Sequence, residues 1–193
     1  MRIACIVEGH GEVEAVPLLL RRIADEQTQG YPEVLHPMRV PSSKLVKAGE
    51  LERAVELAAR KCGPDGGILI VLDCDDGCPA ELGPELLARA APIRPEQRIA
   101  VVLAKREYEA WFLAAASSIA GRRGLAADLA PPAAPEAIRD AKGWLADRME
   151  GGSYSETTDQ AALTAVFDMR AARSADSFDK CWREIVSLLE GTA

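Results

Sequence analysis

The stretch Ile68-Leu69-Ile70-Val71-Leu72-Asp73-Cys74-Asp75-Asp76 sets five apolar residues directly before three carboxylates. A run that is apolar at every position, not at alternate ones, suits a central β-strand covered on both faces. Ile3 to Val7 and Ile99 to Leu103 read the same way, whereas Val34 to Val40 is broken by His36, Pro37 and Arg39 and reads as a strand toward an edge. Helical periodicity fills the gaps, with Val13, Val16, Leu19, Leu20 and Ile23 on one face of the first segment and Leu51, Val55, Ala58 and Cys62 on one face of the second. A third helical segment is interrupted by Gly83 and Pro84 and closed by Pro92. The order β-α-β-α-β-α-β predicts an α/β fold with a mainly parallel sheet of about four strands, right-handed crossovers and helices on both faces.

Beyond the fourth strand, Glu107 to Ala120 reads as one helix with Trp111, Phe112 and Ala115 on its apolar face. The Ala/Pro-rich segment Ala126 to Pro135 reads as a linker. We therefore expect an α/β domain over 1–125 and a helical extension over 136–193, packed on or beside that domain. The extension ends in Phe178, Cys181, Trp182, Ile185, Leu188 and Leu189 at helical spacing, entered through Ser174 or Asp176 as cap. Trp111, Trp144 and Trp182 sit among apolar neighbours and read as core, not as stacking platforms for bases.

With 193 residues, 48% hydrophobic and 27% charged, the chain is large enough for one buried core with an appendage. No stretch reaches the apolar length of a membrane span and no signal peptide precedes the first strand, so a cytoplasmic protein is expected. Cys5, Cys62, Cys74, Cys78 and Cys181 are odd in number and irregularly spaced, which suits reduced thiols. Cys74 and Cys78 lack a second ligand pair for zinc. A net charge of −7 excludes coating nucleic acid by bulk electrostatics, but not an enzyme whose carboxylates hold cations.

Ligands of open parallel sheets bind outside the carboxyl ends of the strands. There the first strand gives Glu8-Gly9-His10-Gly11-Glu12, the third Asp73-Cys74-Asp75-Asp76 and the fourth Lys105-Arg106-Glu107-Tyr108-Glu109. Acids at strand ends are often only solvated loop residues or helix caps. Three acidic strand ends at once, however, would repel unless a cation or protons offset them. Hard cations such as Mg²⁺ or Mn²⁺ want such oxygen ligands. His10 could shuttle a proton near neutral pH, and Lys105 and Arg106, with Lys44 and Lys47, are candidate phosphate contacts.

Glu8-Gly9 after the first strand and Asp73-Cys74-Asp75 after the third resemble the pattern of Toprim domains, found in topoisomerases, bacterial primases and overcoming-lysogenization-defect nucleases. More narrowly, Val7-Glu8-Gly9 with Glu12, Leu72-Asp73-Cys74-Asp75 and Arg106-Glu107-Tyr108-Glu109-Ala110-Trp111 resemble family 4276 of domains of unknown function, a Toprim-like group. The resemblance implies a Mg²⁺- or Mn²⁺-binding fold in which Asp73 and Asp75 are ligands and Glu8 is a ligand or general acid/base, giving a catalytic set of Glu8, Asp73 and Asp75. Glu12, Asp76 and Glu107 are expected to add oxygens, enough for two ions. It further implies metal-assisted phosphodiester hydrolysis of DNA or RNA in a defence or repair system.

Two other classes compete. One is a non-catalytic regulatory subunit of the same shape, using its C-terminal helices to bind a protein partner such as an ATPase or a second copy of itself. The other is a Mg²⁺-dependent phospho-receiver with Asp73 as acceptor, although only Glu8 directly follows the first strand where that reading wants paired acids. A dinucleotide site at Gly9-His10-Gly11 is excluded by the missing third glycine and by Glu12 and Glu14.

Overall fold

The computed structural model describes residues 1–27 and 31–191. Its elements are β1 (Arg2–Val7), α1 (Glu12–Gln27), β2 (Glu33–Val34), β3 (Met38–Arg39), α2 (Ser42–Leu45), α3 (Glu50–Cys62), β4 (Gly67–Asp73), α4 (Pro79–Ala90) and β5 (Arg98–Ala104), then α5 (Ala110–Ala114), α6 (Ala116–Ile119), α7 (Ala141–Ala146), α8 (Ala161–Thr164), α9 (Met169–Ala172) and α10 (Asp176–Glu190). The sheet is parallel throughout, in the order β2-β1-β4-β5, with β3 also pairing β1. The protein is thus an α/β fold whose three apolar runs form the central ladder. Register Val7↔Val71 and Asp73↔Ala104 brings the carboxyl ends of β1, β4 and β5 side by side.

Both faces are covered. Ile3, Cys5, Val7, Leu69, Val71, Ala100 and Val102 pack beneath α1, α5 and α10, while Ala4, Ile6, Ile68, Ile70, Leu72, Val101 and Leu103 pack against α3 and α4. Alternate residues of one strand feed opposite layers, which is why these strands are apolar at every position.

Three local expectations change. The segment Val34 to Val40 is not one strand: Glu33–Val34 and Met38–Arg39 touch β1 separately, on either side of Pro37, which has no N–H for the ladder. Helix α4 runs through Gly83 and Pro84; the bond Pro84 cannot make would end on the carbonyl of exposed Ala80, where water can replace it. The helix expected over Glu107 to Ala120 breaks at Ala115 (φ −107, ψ 21), whose carbonyl accepts the Ser118 hydroxyl at 2.6 Å.

The C-terminal helices share the core of the sheet. Trp111 packs tilted against Tyr108 at 4.5 Å between ring centroids and meets Phe178 of α10 edge-on at 5.3 Å, while Phe167 bridges Phe112 and Phe178 at 5.4 and 5.5 Å. Trp111 and Trp182 are core residues as read. Trp144 is only half-buried, with the Arg148 guanidinium 3.9 Å above its ring. Among the described residues, no helix is long and apolar enough to cross a membrane.

Candidate functional site

The acids that follow β1, β4 and β5 do not all converge. Glu8 and Asp73 face each other: the Asp73 amide donates to Glu8 Oε2 at 3.3 Å and the Ser42 hydroxyl donates to Glu8 Oε1. Glu12 folds back from the first turn of α1, where Oε2 accepts the amides of Glu8 (2.8 Å) and Gly9 (2.9 Å). Asp73 Oδ1 accepts the Tyr108 amide at 2.9 Å. Glu8 is thus held through both oxygens, whereas Glu12 and Asp73 are each oriented through one, and these bonds leave Glu12 Oε1 and Asp73 Oδ2 for other partners.

The remaining candidates turn elsewhere. Asp76 pairs with Arg106 and, at 3.0 Å, with Arg139. Asp75 is exposed on the rim, its amide donating to the Arg106 carbonyl at 3.1 Å; both residues take positive φ, 42° and 70°. Left-handed backbone at two non-glycine residues is strained and persists where the surroundings enforce it. Glu107 Oε2 accepts the amides of Ala141 (2.8 Å) and Lys142 (3.1 Å) at the start of α7, and its Oε1 lies 3.7 Å from Lys142 Nζ, so this glutamate stands at the edge of the cluster behind the ammonium. His10 and Lys105 are exposed.

The fourth member of the cluster is Glu109, fully buried. Its Oε1 accepts the Tyr154 hydroxyl at 2.9 Å and the Gln160 amide at 3.0 Å, while Oε2 is buried with no hydrogen-bond partner. Lys142 reaches in from α7, its Nζ 2.6 Å from Glu156 Oε1 and 3.9 Å from Glu109 Oε2. Glu109, Lys142, Tyr154, Glu156 and Gln160 were absent from the sequence-derived site. Only Glu109 carried a signal, its place in the Glu-x-Glu-x-Trp element.

Gly11 is what lets the two parts of the chain meet. A β-carbon there would overlap the Glu156 carbonyl and the Gln160 side-chain oxygen, so the π-helical turn Glu156–Gln160 rests directly on the loop between β1 and α1.

Burial sets the electrostatics. It pushes the carboxyls of Glu12 and Glu109 up to about 7, against the hydrogen bonds that pull them down. Burial, then the charges of Glu12 and Glu109, raise Asp73 well above the usual carboxylate range. Burial opposes the charge of Lys142, but Glu109, Glu156, Glu107 and Asp73 together hold its ammonium above the ordinary value.

Among the described residues no three His, Cys, Asp or Glu side chains form a ready-made metal-binding group. The donors nonetheless suit a hard cation: they are all oxygens, they repel one another, and one of them is a buried orphan. A cation would need Lys142 to give way.

The family described as "Domain of unknown function (DUF4276)" matches residues 7–185, which include every residue of this cluster. No curated protein and no solved structure matches the chain.

Proposed function

Because the chain belongs to the DUF4276 family, a domain of unknown function, its chemistry must be argued from its own side chains, and we propose that it is a divalent-metal-dependent phosphodiester hydrolase acting on nucleic acid. The observation that carries this reading is the cluster of buried Glu12 and Glu109 with half-buried Asp73 at the ends of β1, β4 and β5, compensated by the Lys142 ammonium and containing a buried carboxylate oxygen without a hydrogen-bond partner. The Toprim-like pattern Glu8-Gly9 with Asp73-Cys74-Asp75 supports it.

Glu8, Glu12, Asp73 and Glu109 would hold Mg²⁺ or Mn²⁺, which supplies activation of a water and stabilisation of the leaving oxygen. Tyr108 fixes Asp73 through its amide, and the amides of Glu8 and Gly9 fix Glu12, so two oxygens are presented in set directions. In the metal-free protein the carboxyls of Glu12 and Glu109 sit near 7 and take up protons in place of the cation, which on binding would displace them and hold both as carboxylates. Lys105, exposed at the end of β5, and Arg39, whose guanidinium approaches the Glu8 carbonyl at 3.5 Å, are the cations that would contact phosphate in this reading. Asp75 and His10 are exposed at the ends of β4 and β1, while Arg106 is held by Asp76.

The test is cleavage of single- and double-stranded DNA and RNA with Mg²⁺ or Mn²⁺. We expect cleavage by the wild type and a loss of at least about 100-fold in Asp73→Asn, which keeps an acceptor for the Tyr108 amide and therefore keeps the fold by thermal melting. A wild type that cleaves none of these substrates, or an active Asp73→Asn, overturns the reading.

A further inference from the structure

Lys142 stands in the first turn of α7, and its ammonium touches three acids unequally: Glu156 at 2.6 Å, Glu107 at 3.7 Å and Glu109 at 3.9 Å. The first is a charge-assisted hydrogen bond; the other two are beyond hydrogen-bond length and act through charge alone. Glu109 Oε2 is buried without a hydrogen-bond partner, although a carboxylate in that setting demands one. Lys142 therefore compensates Glu109 without bonding to it.

Resting on the function proposed above, we propose that Lys142 is a displaceable counter-ion: anchored on Glu156, its ammonium stands beside a divalent-cation site and swings away from Glu109 when the cation binds, Glu156 keeping it off the Glu109 oxygens. Three features carry this. The ammonium and a divalent cation compete for the same oxygens of Glu109 and its neighbours, and like charges at this range repel strongly in a partly dry site. The lysine side chain is flexible and about one-third exposed (31%), so it has somewhere to go. Its outer anchor Glu156, 38% exposed, belongs to the same site: its Oε2 lies 3.9 Å from where a β-carbon on Gly9 would stand, and the π turn that carries it packs on Gly11.

The test is Mn²⁺ binding to the metal-stripped full chain at neutral pH, followed by calorimetry and by the electron-spin signal of free Mn²⁺. Wild type is compared with Lys142→Met, Lys142→Gln, Glu156→Gln and the Lys142→Met/Glu156→Gln double variant. Removing the ammonium should tighten Mn²⁺ binding about tenfold in both Lys142 variants. Glu156→Gln should weaken it, because an unanchored ammonium settles onto Glu109. In the double variant that weakening should vanish, since Glu156 acts through Lys142. Unchanged or weaker binding in Lys142→Met and Lys142→Gln, with wild type binding Mn²⁺, overturns the inference and leaves the metal reading standing. Equal weakening by Glu156→Gln in both backgrounds also overturns it, by making Glu156 a ligand of the ion. If none of the proteins binds Mn²⁺ while all melt cooperatively, the metal reading falls and takes this inference with it.

Discussion

Glu109 concentrates the electrostatic burden of the site in one side chain. It has no exposure, two neutral donors on one oxygen and none on the other, and burial lifts its carboxyl from the ordinary 4.5 to about 7. Glu12 is lifted to a similar value by the same cause. Groups whose folded pKa lies above the unfolded one bind more protons folded than unfolded between the two values, so stability falls as pH rises through that window. Glu12 and Glu109 should therefore make the metal-free protein lose stability from about pH 4.5 to about pH 7, and Asp73, raised in the same sense, adds to the loss as pH rises. Half-buried acids paired with arginine, such as Glu56 and Asp179, are held low and act oppositely, but only at more acidic pH. Glu109→Gln keeps the size of the side chain and removes its titration. In EDTA its urea midpoint should match wild type near pH 4.5 and exceed it at pH 8, by a difference on the order of 3 kcal/mol or less, given its partial compensation by Lys142. A wild-type profile that is flat between pH 5 and 7, or a variant that follows it in parallel, would show that the cluster is not strained by charge.

At the scale of elements, helix termini are served by glutamates that come from elsewhere in the chain. Glu136 accepts the amides of Asp176 (3.2 Å) and Ser177 (3.0 Å) at the start of α10, as Glu107 does for α7. Ala175 precedes α10 and offers no side-chain cap, so neither Ser174 nor Asp176 does the work expected of it. Carboxylates at helix N-termini satisfy orphan amides and oppose the positive end of the dipole. Glu136→Ala should therefore cost about 1 kcal/mol in chemical denaturation, with Glu136→Gln losing less; an unchanged midpoint for Glu136→Ala would mean that water replaces the cap without penalty. The same pair explains what the sequence could and could not disclose. β1, β4 and β5 are legible because strands covered on both faces must be apolar at every position, and Glu8, Glu12 and Asp73 follow from knowing where such strands end. Asp76 and Glu107 were legible as strand-end acids too, but nothing local says that one meets Arg106 and Arg139 and the other an amide pair 34 residues away. Lys142, Tyr154, Glu156 and Gln160 lay beyond reach for the converse reason: their positions depend on how the helices after β5 fold back onto the first loop.

That return binds the molecule into one body. The face of the sheet beneath α1 is covered in part by Phe167, Phe178, Trp182, Ile185 and Leu188, and Trp111 of α5 lies between Tyr108 and Phe178 while its indole N–H donates to Ser177 at 2.8 Å. The same hydroxyl accepts the Lys105 amide at 3.1 Å, tying the end of β5 to the start of α10. Leu129, within the Ala/Pro-rich segment, is itself buried in this core. A chain ending at residue 125 would leave uncovered Trp111, Phe112 and the β5 residues that α10 covers, and would strip Glu109 of Tyr154, Gln160 and Lys142 together. Each large aromatic contact removed from a core costs about 3 to 5 kcal/mol, and a domain's whole stability is only about 5 to 15 kcal/mol. We therefore expect the 1–125 fragment to show no cooperative thermal transition by circular dichroism, whereas the full chain melts in a single step. A fragment that melts cooperatively, or a full chain that melts in two separated steps, would show that the sheet folds without its C-terminal helices and that the functional cluster is assembled across two independent units.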